Sequence, residues 1–311
     1  MGTPGGASKR GSHRLAETAV CPRKWYFHNA LKLVPKSTPD YYMVGTLVHL
    51  CLAYHYGPQC KLRPAWLKEA TLDEALNKTG RGYPQQIALA KEIYEAYVDY
   101  WAGHDSGWEP FGVEEEFTAT LGQIRKLVNP KAGAQPLDNE VVSSRLDLLV
   151  KMNGRVWAVD YKTTAGGGFG SSKRLPTWNP EGEYAVHFQF MLQTAILRVN
   201  FGSEFGGVIV ERILKKPPFD FDRSVAPIQR RMFNELPDIL ARLCAAERSI
   251  AMQTYEAHGA GEDMTLWKPT GNPWNCWGWG HPCEYRPICI AETNEQEREV
   301  REREFKKDNH E

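Results

Sequence analysis

The stretch that decides the fold is V141-VSSRLDLLVKM-N153-G154-RVWAVDYK-T163. Two strand-like runs flank Asn153-Gly154. Asn-Gly between alternating apolar runs is the strongest short-range hairpin signal, because both central residues of a type I′ turn need positive φ. With those two residues as the loop, Met152 pairs with Arg155 and Asp147 falls opposite Asp160. That pair is of the non-hydrogen-bonded kind, with Cα atoms about 4.5 Å apart. Leu148, Val150, Trp157 and Val159 then fill one face, and Asp147, Asp160 and Lys162 share the other. Two facing carboxylates repel and are costly to desolvate, and a divalent cation between them relieves both penalties. A lysine beside such a pair can orient a water or neutralise a phosphate. The plain alternative is a surface hairpin with solvated acids and one ion pair.

Composition sets the class. The chain has 311 residues, 42% hydrophobic and 24% charged, which is the make-up of a soluble globular protein with room for a full core. Formal net charge is zero, so any nucleic-acid site must come from local patches. No run approaches the roughly 20 apolar residues of a membrane span. The N-terminus lacks a signal-peptide core, and the expected location is cytoplasmic. Ten Trp and thirteen Tyr suit stacking on bases, although most should be core.

Residues 1–11 are Gly-rich and read as disordered. A basic helical region follows, with Arg14, Cys21, Arg23 and Lys24. Residues 41–56 read as an apolar helix with Gly45 and His49 on one face, and a lone histidine there is more often core than ligand. Residues 84–103 form an amphipathic helix with Ile87, Tyr94, Val98 and Trp101 as its stripe. In the strand at 111–121, Glu114 and Glu116 point one way and Glu115 the other, so at least one acid faces inward if the strand is internal. After Lys162 comes a Gly-rich loop of nearly twenty residues, and loops of that length are usually functional or disordered. Its Lys173, Arg174 and Trp178 could meet a polyanion; a mobile surface loop is the alternative. A helix at 184–199 places Gln189 and Gln193 four apart on one face. A strand at 205–214 and a helix at 226–252 with a kink at Pro237 follow. The segment 291–311 reads as a charged, solvated helix or tail.

Seven cysteines without a secretion signal argue against a disulfide framework. Cys51, Cys60 and Cys244 read as ordinary buried or half-buried thiols. Cys276, Cys283 and Cys289 lie close together in a segment without helical periodicity, which suggests metal or cluster ligation. Cys21 is the candidate fourth ligand, His281 is a rival, and a zinc site of three Cys and one His stays open. Four thiolates would staple the N-terminal helix to the C-terminal segment. Unligated thiols are the alternative.

Taken in order, these motifs resemble the PD-(D/E)XK nuclease superfamily in its RecB-type branch. More narrowly they are similar to the iron–sulfur members related to CRISPR-associated exonucleases and AddAB-type nuclease domains. The resemblance rests on SHRLAETAVCPRKWYF at the start, GTLVH at 45–49, VEEEF at 113–117, SRLDLL at 144–149, VDYKT at 159–163, Gln189 and the last three cysteines. The chain departs in a longer spacing between its second and third cluster cysteines, and in Gln193 where a tyrosine is usual.

The resemblance implies a restriction-endonuclease-like α/β core, a central mixed sheet flanked by helices, with a helical and loop cap stapled by a cysteine-ligated cluster. It implies one nuclease domain over 12–290. It implies that His49, Asp147, Asp160 and the Tyr161 carbonyl bind Mg²⁺ or Mn²⁺. Lys162 would position the attacking water or stabilise the phosphate, Glu114 would support the metal site, and Gln189 would orient Lys162 or the substrate. Cys21, Cys276, Cys283 and Cys289 would hold a 4Fe-4S cluster. The implied activity is metal-dependent DNA hydrolysis, acting on single strands or DNA ends in recombination, repair or CRISPR/phage-related processing, with a helicase or recombination partner. The rival from another class is a non-catalytic nucleic-acid-binding or assembly subunit on the same fold.

Overall fold

The computed structural model describes residues 8–36, 39–164, 187–259, 283–289, 291 and 294–307. Its centre is a five-stranded mixed sheet in the order β2-β3-β4-β5-β6. These strands are β2 (Glu109–Thr120), β3 (Val141–Met152), β4 (Arg155–Thr164), β5 (Phe205–Leu214) and β6 (Phe221–Val225). β4 and β5 are parallel and the other neighbours antiparallel. Asn153 (φ 51°) and Gly154 (φ 72°) form the expected tight turn. The hairpin register holds from Met152–Arg155 to Leu148–Val159.

Helices cover both faces. On one face lie α3 (Asp40–Tyr56), α4 (Leu72–Thr79) and α5 (Pro84–Trp101). They bury Leu47, Val48, Ile93 and Tyr97 against Val113, Leu148, Val150, Val159, Tyr161, Ile209 and Ile213. The centre of the α5 stripe is Ala90, Ile93 and Tyr97; the expected Ile87, Tyr94, Val98 and Trp101 flank it, half-buried. On the other face is α7 (Phe188–Phe201), which joins β4 to the parallel β5, as a parallel pair requires. Its Phe190 and Leu197 pack on Leu146, Leu149, Ala158, Val208 and Val210. Behind α7 stand α1 (Ser12–Val20), α6 (Leu121–Val128) and α8 (Arg230–Gly259), around Leu15, Ile124, Ile196, Leu236 and Cys244. Residues 190–197 are buried all round because α7 is sandwiched between sheet and helices.

The N- and C-terminal segments meet. Trp25 of α2 (Pro22–Trp25), Tyr26, Phe27 and Leu33 of β1 (Leu33–Pro35) pack with Tyr285, Ile288 of α9 (Arg286–Cys289) and Phe305 of β7 (Phe305–Lys307). β1 and β7 pair antiparallel, and α10 (Asn294–Glu304) leads into β7. The charged C-terminal stretch is therefore not wholly solvated. Phe305 is its anchor, at 4% exposure. What ties the two segments together among the described residues is apolar packing and a strand pair; a cysteine cluster is not shown.

Residues 8–11, expected to be unstructured, lie along β3. Ser143 donates its N–H to the Arg10 carbonyl at 3.1 Å, and Arg145 donates its N–H to the Ser8 hydroxyl at 2.9 Å. Arg10 also pairs with the buried acids Glu140 and Glu247. Two acids with little access to water need a cation, and that need orders the segment. Among the described residues no helix is long and apolar enough to cross a membrane.

Candidate active site

The sheet forks at Asp147 and Asp160. β3 pairs with β2 along nearly its whole length, and β4 pairs with β5 from Val156 to Thr164. Between themselves, β3 and β4 pair only over residues 148–152 and 155–159. Beyond Leu148–Val159 they separate, and the backbone groups that would continue the ladder need other partners. Asp147 supplies one: its Oδ2 accepts the Tyr161 N–H at 2.8 Å.

The expectation that Asp147 and Asp160 project from the same face is corrected by this fork. Regular alternation places Asp147 with Leu149, toward α7. Instead Leu146 takes the α7 side, and the Asp147 carboxylate stands 3.5 Å from Nδ1 of His49 on α3. The partner strand is irregular at the same level. Glu114, missing from the β2–β3 register, has φ 52°, a left-handed conformation unusual for a residue with a side chain. Both acids thus sit at one local break in the alternation.

Asp160 and Lys162 keep the expected face, toward α7. Lys162 Nζ lies 2.5 Å from Asp160 Oδ2. Gln189 bridges the two: its Nε2 donates to Asp160 Oδ1 at 2.7 Å, and its Oε1 accepts from Lys162 Nζ at 3.2 Å. Gln193, one turn on, donates to the same Oδ1 at 3.2 Å. The residue that stands where the resemblance expects a tyrosine is therefore a second amide on the Asp160 carboxylate. Its signal in the sequence was the four-residue spacing from Gln189.

Charge balance follows from these contacts. Burial pushes the Asp147 carboxyl up, but His49, Lys162 and the Tyr161 N–H together hold it below its ordinary value. Burial opposes the His49 imidazolium, and Asp147 and Glu114 still raise its pKa. Two further histidines, not singled out in the sequence, lie near enough to feel the Lys162 charge. His13 of α1 and His187 before α7 are both lowered, by burial first and by the Lys162 charge next. No spacing rule marked them, because they come from distant parts of the chain.

The donor set suits a hard divalent cation. It offers two carboxylates, one imidazole and the Tyr161 carbonyl at the fork. Asp160 Oδ2 is buried and makes no hydrogen bond among the described residues, although the Lys162 ammonium is close. A buried carboxylate is costly without a cation beside it, and here the Lys162 ammonium supplies that charge. Among the described residues, however, no group of three or more His, Cys, Asp or Glu side chains is placed to hold a metal ion.

At the other end, Cys21 accepts the Lys24 N–H at 3.4 Å. Burial raises the Cys283 thiol, and Cys21 is near enough to add to that rise. Cys289 packs on the same apolar cluster. Cys276, the rival ligand His281, and Lys173, Arg174 and Trp178 lie outside the described residues. Cys51, Cys60 and Cys244 are buried, as their sequence context indicated.

Paired acids and a lysine at a strand fork, braced by a glutamine helix in an α/β sheet, make the plan of a nuclease. The chain belongs to the PD-(D/E)XK nuclease superfamily, whose family model matches residues 12–290. No curated protein sequence matches it. Among solved structures it is similar to one named "Putative exonuclease" from Eubacterium rectale, with a TM-score of 0.45 and 12% identity over 76% of this chain and 80% of that one.

Proposed function

We propose that this nuclease is a divalent-metal-dependent deoxyribonuclease acting on single-stranded DNA or DNA ends. The observation that carries the reading is the Asp160–Gln189–Lys162 assembly set against the Asp147–Tyr161 contact at the fork. Asp147, Asp160, His49 and the Tyr161 carbonyl would hold Mg²⁺ or Mn²⁺, which when bound polarises a phosphate and lowers the pKa of a water. Lys162 places its ammonium where negative charge grows on the phosphate. Gln189 links that ammonium to the Asp160 carboxylate, and Gln193 donates a second hydrogen bond to the carboxylate. Glu114 adds negative charge beside His49 and supports the acid side of the site. Lys173, Arg174 and Trp178, in the Gly-rich stretch of sequence after Lys162, would contact the DNA.

Cys21, Cys276, Cys283 and Cys289 would hold a 4Fe-4S cluster, with zinc as the alternative metal. Cys283 and Cys289 pack on the terminal cluster of Trp25, Tyr26 and Phe27, the residues that follow Cys21 in the chain. Processing of ends in recombination, repair or CRISPR/phage-related DNA, beside a helicase partner, fits such an activity.

The test is cleavage of end-labelled single- and double-stranded DNA with Mg²⁺, with Mn²⁺ and with chelator. Metal-dependent degradation that Lys162→Ala abolishes is expected. Equal degradation by wild type and Lys162→Ala overturns the mechanism, and binding without cleavage favours the non-catalytic subunit. Brown, iron-containing protein after anaerobic purification is expected for the cluster; zinc without iron overturns it.

A further inference from the structure

Two aromatic side chains at the first turn of α3 have no part in the machinery above. Tyr41 is 39% exposed and Tyr42 60% exposed, and their rings lie 4.2 Å apart.

Their place in the fold is well fixed. Tyr41, Gly45 and His49 recur every four residues and share one stripe of α3. His49 stands at the fork, beside Asp147 and edge-on to the Tyr161 ring. One turn earlier, Gly45 abuts β4, where an added Cβ would meet the Thr163 hydroxyl at 2.7 Å. One turn earlier again, the Tyr41 carbonyl accepts Lys215 Nζ at 2.7 Å, and the Lys215 N–H bonds the Thr164 carbonyl at 2.8 Å. The helix therefore runs beside β4 from the fork to the strand's far end. Its rise sets Tyr41 about 12 Å along from His49. Lys215 brings positive charge to the Tyr41 backbone, and Glu284 brings negative charge within reach of the Tyr41 hydroxyl.

We propose that Tyr41 and Tyr42 form a stacking platform for a base of the strand that leads to the fork, a few nucleotides from the scissile phosphate. This rests on the nuclease reading above. Exposed rings in line with the site, with Lys215 at their backbone, suit a single-stranded nucleic acid, because every base has a π-face and every linkage a charge. Stacking of this kind is sequence-tolerant, so the platform would grip the strand without selecting its sequence.

The experiment uses the full chain in a Lys162→Ala background, so that DNA survives. Equilibrium affinity for a short fluorescent oligodeoxythymidine is compared for that protein, for added Tyr41→Ala with Tyr42→Ala, and for added Tyr41→Trp with Tyr42→Trp. A matching strand with abasic sites serves as the second probe. The alanine pair should weaken binding of the normal strand about tenfold or more, the tryptophan pair should restore it, and the abasic strand should be indifferent to all these changes. Unchanged affinity in the alanine variant overturns the inference, as does an equal loss with normal and abasic strands. Both side chains are exposed, and circular dichroism verifies that the variants are folded. Failure of the parent protein to bind DNA would sink the nuclease reading itself; DNA cleavage by wild type with affinity indifferent to the tyrosines sinks the platform alone.

Discussion

The carboxylate of Asp147 accepts the backbone N–H of Tyr161 at 2.8 Å, across the point where β3 and β4 part. One side chain thus does the work of the missing ladder bond and also presents its other oxygen toward His49. Asp147→Asn keeps an oxygen for that N–H and removes the charge, so it should leave the fold intact and lower DNA cleavage about a hundredfold or more. Asp147→Ala should be as inactive and less stable by about 1–3 kcal/mol, because the Tyr161 N–H loses its partner. Cleavage rates and urea unfolding of the two variants separate the effects; an active Asp147→Asn would remove this residue from the chemistry.

Gln189 touches Asp160 with its nitrogen and Lys162 with its oxygen. Gln189→Ala should reduce cleavage roughly ten- to a hundredfold, the usual cost of losing an orienting partner. Gln189→Glu should be worse, since it sets a second carboxylate against Asp160. Gln193→Ala should give a smaller loss, because Gln193 touches Asp160 at the longer distance of 3.2 Å. The same rate in Gln189→Ala and wild type would show that the bridge is packing alone.

Glu114 is held at φ 52° on a β-strand. Glycine adopts that conformation without penalty, so Glu114→Gly should keep thermal stability within about 1 kcal/mol of wild type or raise it. Cleavage should nevertheless fall about tenfold or more, as the acid beside His49 is lost. Differential scanning calorimetry beside a nuclease assay tests the trade; a melting point falling together with activity would mean that the side chain is structural.

Behind the Tyr161 ring lies a buried ionic core. Glu211 accepts from Tyr97 at 2.8 Å and from Arg223 at 2.7 Å, and Arg223 lies 3.8 Å from the ring centres of both Trp101 and Trp108. Burial raises the Glu211 carboxyl from 4.5 to about 7, against the pull of Arg223 and Tyr97. A raised acid holds its proton more tightly when folded than when unfolded. Its contribution is therefore present at low pH and is lost as pH rises from 4.5 to about 7. Urea unfolding should show that loss in wild type and not in Glu211→Gln. Equal pH slopes for the two would contradict it.

Arg223→Ala should cost about 3–5 kcal/mol at high pH, where the buried Glu211 loses its counter-charge, and less at low pH; because Arg223 holds the Glu211 pKa down, its loss moves the protonation step to higher pH. Arg223→Lys should rescue poorly, because an ammonium cannot stack flat between two indoles. Full rescue by lysine in chemical denaturation would show that charge alone matters.

Local sequence rules set the hairpin, its register from Leu148 to Met152 and the main helices and strands around it, and put Asp147, Asp160 and Lys162 near the hairpin's open end. Those depend on local rules: Asn-Gly takes positive φ, strands alternate every residue, and apolar stripes recur at helical spacing. The tertiary structure decided where the acids point. Alternation predicted one shared face for Asp147 and Asp160, but β3 follows β2 while β4 follows β5, and strands drawn apart by different neighbours cannot continue one ladder. The same limit hid Gln193 as a partner of Asp160, His13 and His187 near Lys162, and the Arg10 tie to Glu140 and Glu247. These contacts join residues far apart in the chain, and no short-range pattern encodes which distant groups a fold will bring within reach of a buried charge.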